Sequence, residues 1–286
     1  MQAIDPIFVA PRLVEREWGR AHTGEWVHCP RHKPTKLAEA WLLDPSCASD
    51  RGPLGRRISR DVSGMLGDLG RAPPKMRLVF PGQETAIQPT SPLSFWTVLE
   101  QGQDAPPDPS PTAHRTGERI RAYEGAEIRL AANCVALEVS ASFQATNQPA
   151  SRPQIVHLPP VSARARATLL REPGLSVETW SLPEWSRIVP DGETCHVLVA
   201  LGPGVRIDGR ALAQGETVMV PACGRSLDVV ASQRDVMLLA AYPDKTPTAI
   251  WRHTPGPDPS AGVLPRPEPA PRPVATAQSL HRSMAA

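Results

Sequence analysis

The sequence predicts a mainly β protein made of two tandem jelly rolls with little helix. The first observation is the stretch "CHVLVALGPGVRIDGRALAQGETVMVPACGRSLDVVASQRDVMLLAAYP", residues 195 to 243. Short runs rich in Val, Leu, Ile and Met are separated every eight to ten residues by glycine-containing turns, the pattern of antiparallel hairpins in a small barrel or sandwich. The second is that "GERIRAYEGAEIRLAANCVALEVSAS", residues 117 to 142, repeats that style. Gly117-Glu118 and Gly215-Glu216 head equivalent units 98 residues apart, which implies two copies of one architecture. The third is where the prolines fall. "TPGPDPSAGVLPRPEPAPRP", residues 254 to 273, is too proline-rich and apolar-poor to pack, and "DAPPDPSPTAH", residues 104 to 114, reads as a loop. These place a first domain over 1–150, a second over 151–250, and a disordered tail over 251–286 whose P-x-x-P spacing also suits a docking segment. The best helix candidate is the short "SGMLGDLG" at 63–70, weakened by its two glycines.

Composition narrows the function. The chain has 286 residues, 41% of them hydrophobic, enough for two β domains. A formal charge of +2 leaves no electrostatic footprint for nucleic acid or an anionic membrane. No run approaches eighteen apolar residues and "MQAIDPIFVAPRL" lacks a basic, apolar leader pattern, so a soluble cytoplasmic protein is expected. Five scattered cysteines, none in a Cys-x-x-Cys pair, argue for buried thiols over a disulfide framework or zinc ribbon.

The "GETVMVPA" element, a turn glycine, an acid, alternating apolar residues and then proline, resembles the second characteristic stretch of a cupin jelly roll. From there the chain resembles the type I mannose-6-phosphate isomerases, zinc-dependent double-cupin aldose-ketose isomerases. In "PIFVAPRLVEREWGR", Arg16, Trp18 and Gly19 match that family's opening motif and Arg20 departs from it. In "LAEAWLLDP", Glu39 and Trp41 match and Ala38 replaces a glycine. "RGPLGRRI" at 51–58 matches the stretch that follows, and residues 195 to 244 match the last jelly roll. The resemblance spans roughly residues 6 to 244 as an ordered series of modest motifs.

That resemblance implies a zinc site whose ligands this chain has replaced. The family's Gln-x-His strand becomes "AIQP", with Ala86 and Gln88 at the ligand positions. The glutamate before its Cys-Trp becomes Ser94, the last histidine becomes Ile128, and an arginine assisting proton transfer becomes Gln148. Ala, Ile and Ser offer zinc nothing, and a carboxamide is a poor ligand. Without the cation an enediolate loses several kcal/mol of stabilisation. The expectation is therefore a protein without a cofactor or isomerase activity that binds a sugar or sugar phosphate. Its ligand-binding residues would be Gln88, Ser94, Trp96, Gln148 and Trp41.

Two alternatives stand beside it. One is an active isomerase with zinc on relocated ligands such as His114, His157 or His196; the other is a scaffold that docks a protein partner. "HCPRH", with His28, Cys29 and His32, reads as a surface loop because Pro30 breaks helical spacing. His196 reads as structural, and "RARATLLRE" at 164–172 as a solvated linker face. Nucleophile-elbow, P-loop and dinucleotide motifs are absent.

Overall fold

The computed structural model describes residues 3–27, 34–101, 114–142, 155–158, 165–244 and 251–253. Five strands and a helix pair open the described chain: β1 (Ile7–Ala10), β2 (Arg12–Arg20), β3 (Leu37–Leu43), the two-residue β4 (Ala48–Ser49) and β5 (Gly52–Pro53), then α1 (Leu54–Arg60) and α2 (Val62–Leu66). The first jelly roll continues through β6 (Lys75–Val79), β7 (Thr85–Ile87), β8 (Leu93–Glu100), β9 (Arg119–Tyr123), β10 (Ile128–Leu130), β11 (Val135–Ser140) and β12 (Ile155–His157). The second begins with β13 (Arg166–Glu172), β14 (Leu175–Ser181), β15 (Trp185–Ile188), β16 (His196–Ala200) and β17 (Val205–Ile207). It ends with β18 (Arg210–Leu212), β19 (Thr217–Val220), β20 (Leu227–Ala231), β21 (Met237–Tyr242) and β22 (Trp251–His253). The fold is thus mainly β, as the repeated turn-and-strand pattern predicts. None of the described helices is long and apolar enough to cross a membrane.

Two large antiparallel sheets form the centre. One runs β12-β9-β8-β11-β6-β3-β2, the other β13-β14-β21-β16-β19-β1-β4-β5. Residues of one parity from each meet in a shared core: Leu78, Phe95, Leu137 and Val139 against Val177, Val197, Met219 and Leu239. The opposite parity faces each jelly roll's own interior. In the first, Val79, Trp96, Val98 and Ala136 pack on Ile87 and Ile128 of the small β7–β10 sheet. In the second, Leu198, Val218, Leu238 and Tyr242 pack on Ile207 and Val229 of the β18-β17-β20-β15-β22 sheet. Central strands are therefore buried on both faces, which is why β8, β11, β16 and β21 read as nearly continuous apolar runs. N-terminal β1 joins the second jelly roll's sheet, Ile7 opposite Met219, and residues 1–254 form one compact unit.

The internal repeat is visible atom by atom. Gly117 N donates to Val98 O at 2.9 Å, and Gly215 N to Ala200 O at 2.8 Å. The two tight turns leading into the last central strands place Asn133 at φ 59° and Asp235 at φ 60°, residue types that tolerate left-handed backbone. β8 therefore corresponds to β16, β9 to β19 and β11 to β21.

Three local expectations need adjustment. The helix expected at 63–70 is the one-turn-plus α2, begun by Asp61, whose carboxylate accepts Gly64 N–H at 2.9 Å, and closed by Gly67 at φ 78°. The preceding α1 was not anticipated, since only Leu54 of its seven residues is buried and no amphipathic stripe marks it. "RARATLLRE" is not a linker: β13 pairs along β14, and Arg166 binds Glu178. β22 lies within the span assigned to the tail, yet it pairs with β15, and Trp251 stacks on Trp180 at 5.3 Å and 9°. The rest of the proline-rich tail lies outside the described residues.

Candidate functional site

Inside the first jelly roll, strand pairing gathers charged and aromatic side chains onto one face. Arg77 of β6 stands opposite Glu138 of β11 and Trp41 of β3, while Glu138 stands opposite Trp96 of β8 and Ser140 opposite Ser94. Arg77 Nε donates to Glu138 Oε2 at 2.5 Å, one terminal nitrogen contacts Glu39 Oε1 at 3.1 Å, and the other donates to the Gln88 carbonyl at 3.1 Å. Glu138 Oε1 accepts from Thr90 N at 2.8 Å, Thr90 Oγ1 at 3.0 Å and Ser94 Oγ at 3.0 Å. Trp41 Nε1 donates to Glu39 Oε2 at 3.0 Å. The guanidinium lies against Trp41 and Trp96, 5.4 and 5.5 Å from their ring centroids. Arg77 is 5% exposed and Glu138 1%, so this is a buried ion cluster whose lone pairs and protons are largely satisfied.

The expected pocket residues divide accordingly. Ser94 and Trp96 are fully buried in this cluster and Trp41 is half-buried beside it. Gln88 contributes its backbone carbonyl while its side chain is exposed, because alternation along β7 turns Ile87 inward. Gln148 lies outside the described residues. Trp96 Nε1 has no hydrogen-bond partner among the described residues. The sequence did carry a signal for the charged members: Arg77 sits mid-strand in "KMRLV" and Glu138 in "VALEVS", charges that an apolar strand tolerates inside only when paired.

Zinc does not fit the ligand positions that the resemblance implies. Ile128 and Ile87 face the interior with hydrocarbon, Ala86 and Gln88 face outward, and Ser94 is committed to Glu138. The nearest carboxylates, Glu39 and Glu138, already hold the Arg77 cation.

The second jelly roll has a parallel cluster. Glu178 Oε2 accepts from Arg166 Nε at 2.7 Å and Trp180 Nε1 at 3.1 Å, with Tyr242 Oη at 3.4 Å. His196, in the position corresponding to Ser94, is fully buried and meets the Tyr242 ring edge-on at 5.2 Å. Neither of its ring nitrogens has a partner among the described residues. Burial, aided by the Arg166 charge, pushes its pKa down to about 3. Fully buried, and with no carboxylate bonded to either ring nitrogen among the described residues, this imidazole is not placed to act as a general base. The depressed folded-state pKa also fixes a sign. The unfolded chain takes up the His196 proton from about pH 6.5 downward, so stability falls through the window from 6.5 to 3. His196→Phe is expected to recover about 2 kcal/mol at pH 5 relative to its effect at pH 8, read from denaturant midpoints at both pH values. An equal effect at both would assign the acid sensitivity elsewhere.

A third feature lies between the jelly rolls. A cavity of ≈ 1240 Å³ opens at one end of the shared core, lined by Thr97, Leu99, Thr179, Leu201, Met237 and Leu239 among others. Glu118 and His157 also line it. Beside it His114, Glu118 and His157 hold their donor atoms within 4.8 Å of one another. Of the three histidines weighed as relocated ligands, His114 and His157 are thus brought together and His196 is not. Glu118, their third partner, lay in the repeated Gly-Glu turn, and nothing local distinguished it from Glu216.

No protein-family model and no curated protein sequence matches this chain. Solved structures do. A mannosephosphate isomerase from Archaeoglobus fulgidus, described as putative, superposes with a TM-score of 0.59 at 16% identity, covering 86% of this chain and 100% of that one. The mannose 6-phosphate isomerase of Bacillus subtilis gives 0.56 at 13%, covering 83% and 99%. That of Salmonella typhimurium, bound to its substrate f6p and a zinc atom, gives 0.62 at 11%, covering 85% and 100%. The likeness is one of fold.

Proposed function

We propose that this double jelly-roll protein is a sugar or sugar-phosphate binding module that performs no metal-dependent isomerisation at the inherited position. The observation that carries the reading is Arg77: its guanidinium, between Glu39 and Glu138, puts a fixed organic cation among the groups a metal would need. A divalent ion there would face a buried positive charge and two carboxylates whose lone pairs are taken. What remains open is the rim. The exposed Arg12 guanidinium lies 5.4 Å from the Trp41 centroid, and the exposed Gln88 side chain projects from a backbone tied to Arg77. An indole that stacks on a sugar ring, a guanidinium that pairs with phosphate and a carboxamide for hydroxyls fit the ligand class that the fold neighbours' names suggest.

Calorimetric titration with mannose 6-phosphate, fructose 6-phosphate, mannose and inorganic phosphate tests this, alongside an isomer-interconversion assay with zinc supplied. Saturable binding of a sugar phosphate without turnover is expected, with Trp41→Ala weakening it about 3- to 10-fold. Turnover above the uncatalysed rate, or no saturable binding, would refute the reading.

A further inference from the structure

We infer that His114, Glu118 and His157 form a binding site for a divalent transition-metal ion, zinc-like in preference, at the mouth of the cavity between the jelly rolls. The inference is independent of the sugar-binding reading. It concerns a different place: Glu118 leads into β9 beyond Thr97, whereas Ser94 pairs at the other end of β8, about 13 Å away at ~3.3 Å per residue.

Two chain segments supply the donors, the 114–118 turn carrying His114 and Glu118 and β12 carrying His157, and backbone hydrogen bonds hold each one. His114 N donates to Arg129 O at 3.1 Å and bridges to Leu130, which fixes it beside β10. Glu118 closes a turn with its N–H on Arg115 O at 3.0 Å, directly after Gly117 is tied to Val98. His157 ends β12 opposite Ile120, and the following Leu158 N donates to Arg119 O at 2.8 Å. His157 is therefore carried by a sheet ladder, and His114 and Glu118 by a turn tied to neighbouring strands through backbone hydrogen bonds, a condition for a pre-formed site.

The geometry is close to what a tetrahedral ion asks. Bonds of about 2.0–2.1 Å put neighbouring donor atoms about 3.3 Å apart. His114 Nδ1 lies 3.0 Å from Glu118 Oε2, and the widest separation in the group, within 4.8 Å, involves a shift available to the exposed His157 ring. The two imidazoles are 5.4 Å apart between centroids and tilted by 55°, an arrangement that lets their nitrogens converge without the rings stacking. Two imidazoles with one carboxylate suit zinc, cobalt or nickel and disfavour calcium and magnesium, which take oxygen donors. Three protein donors leave a fourth position open, and Glu118 and His157 border the cavity into which it would face.

The internal repeat supplies a second, independent observation. Glu216, the counterpart of Glu118, turns back to cap its own turn, its Oε2 accepting Ala213 N–H at 2.9 Å. Glu118 has the same backbone setting but sends its carboxylate to His114. The one acid that departs from the shared role is the one with two histidines beside it.

The test uses the full chain without a histidine tag, stripped with chelator and gel-filtered. It is titrated with Co²⁺ while visible absorption is followed, then with competing Zn²⁺. One equivalent per chain and a four-coordinate cobalt spectrum are expected. His157→Ala, at an exposed position that should spare the fold, is expected to weaken binding by more than about tenfold, and Glu118→Gln likewise. Thermal unfolding of each variant checks that it is folded. No stoichiometric binding, or binding that persists in His157→Ala and disappears in a His28→Ala/His32→Ala variant, would overturn the inference.

Discussion

Arg77→Met is expected to lower the unfolding free energy by about 3–5 kcal/mol, the range for removing one partner of a buried ion cluster. The mutation takes away the only cation contacting Glu138 and Glu39 among the described residues and leaves two carboxylates in a core where neither can be hydrated. Methionine fills much of the arginine stem's space and keeps a side chain against Trp41 and Trp96, so lost packing contributes little. Charge is what the experiment isolates. In the triple variant Glu39→Gln, Arg77→Met, Glu138→Gln, the amide oxygens can still accept from Trp41, Thr90 and Ser94 while the net buried charge disappears. More than half of the lost stability should return, since a neutral hydrogen-bonded core need not be weaker than an ionic one. Urea midpoints of wild type and both variants decide it. A loss below about 1 kcal/mol for Arg77→Met would mean that the cluster is hydrated or unpaired.

Gly215→Ala is expected to cost about 3 kcal/mol or more, while Gly117→Ala, at the equivalent place in the repeat, costs about 1–2 kcal/mol. Both glycines sit at left-handed φ, 79° and 80°, so the backbone strain of a Cβ is the same at each. Their surroundings differ. A Cβ at Gly215 would press into the carbonyl oxygen of Trp26 and lie 3.5 Å from Leu78 Cδ1, whereas one at Gly117 meets nothing within 4 Å. Trp26 is itself anchored, its Nε1 donating to Glu100 Oε2 at 2.7 Å, so its carbonyl cannot easily retreat. Denaturant unfolding of the two single variants measures the difference directly. Equal losses would show that the segment carrying Trp26 yields at no cost.

The same pair of glycines marks how far sequence reasoning reaches. Their turn role was legible because it depends on residues adjacent in the chain: a glycine, an acid and an alternating strand. The repeat, the jelly-roll class and the place of Trp96 in the interior follow from that local grammar. The buried cluster was less legible. Arg77 and Glu138 stand out as charges in apolar strands, but their meeting depends on β6 and β11 lying side by side with one register, and a slip of one residue would turn each to the other face. Gln88 shows that sensitivity: one position of alternation sends its side chain outward and Ile87 inward.

Histidine placement makes the contrast sharper. His114, His157 and His196 are all relocated-ligand candidates by sequence, although His196 alone reads as structural. Pairing of β12 with β9 brings His157 to Glu118 and His114, while β16 carries His196 into a dry core against Tyr242. By itself, then, the sequence determined the strand-and-turn pattern and its repetition, because periodicity, turn chemistry and residue identity are properties of neighbouring residues. Only the tertiary structure decided that Arg77 meets Glu39 and Glu138, that two sheets share one core, and that His157 joins His114 and Glu118. Those outcomes are set by pairing register and by which face of each strand a second sheet covers, and neither is encoded within any one segment.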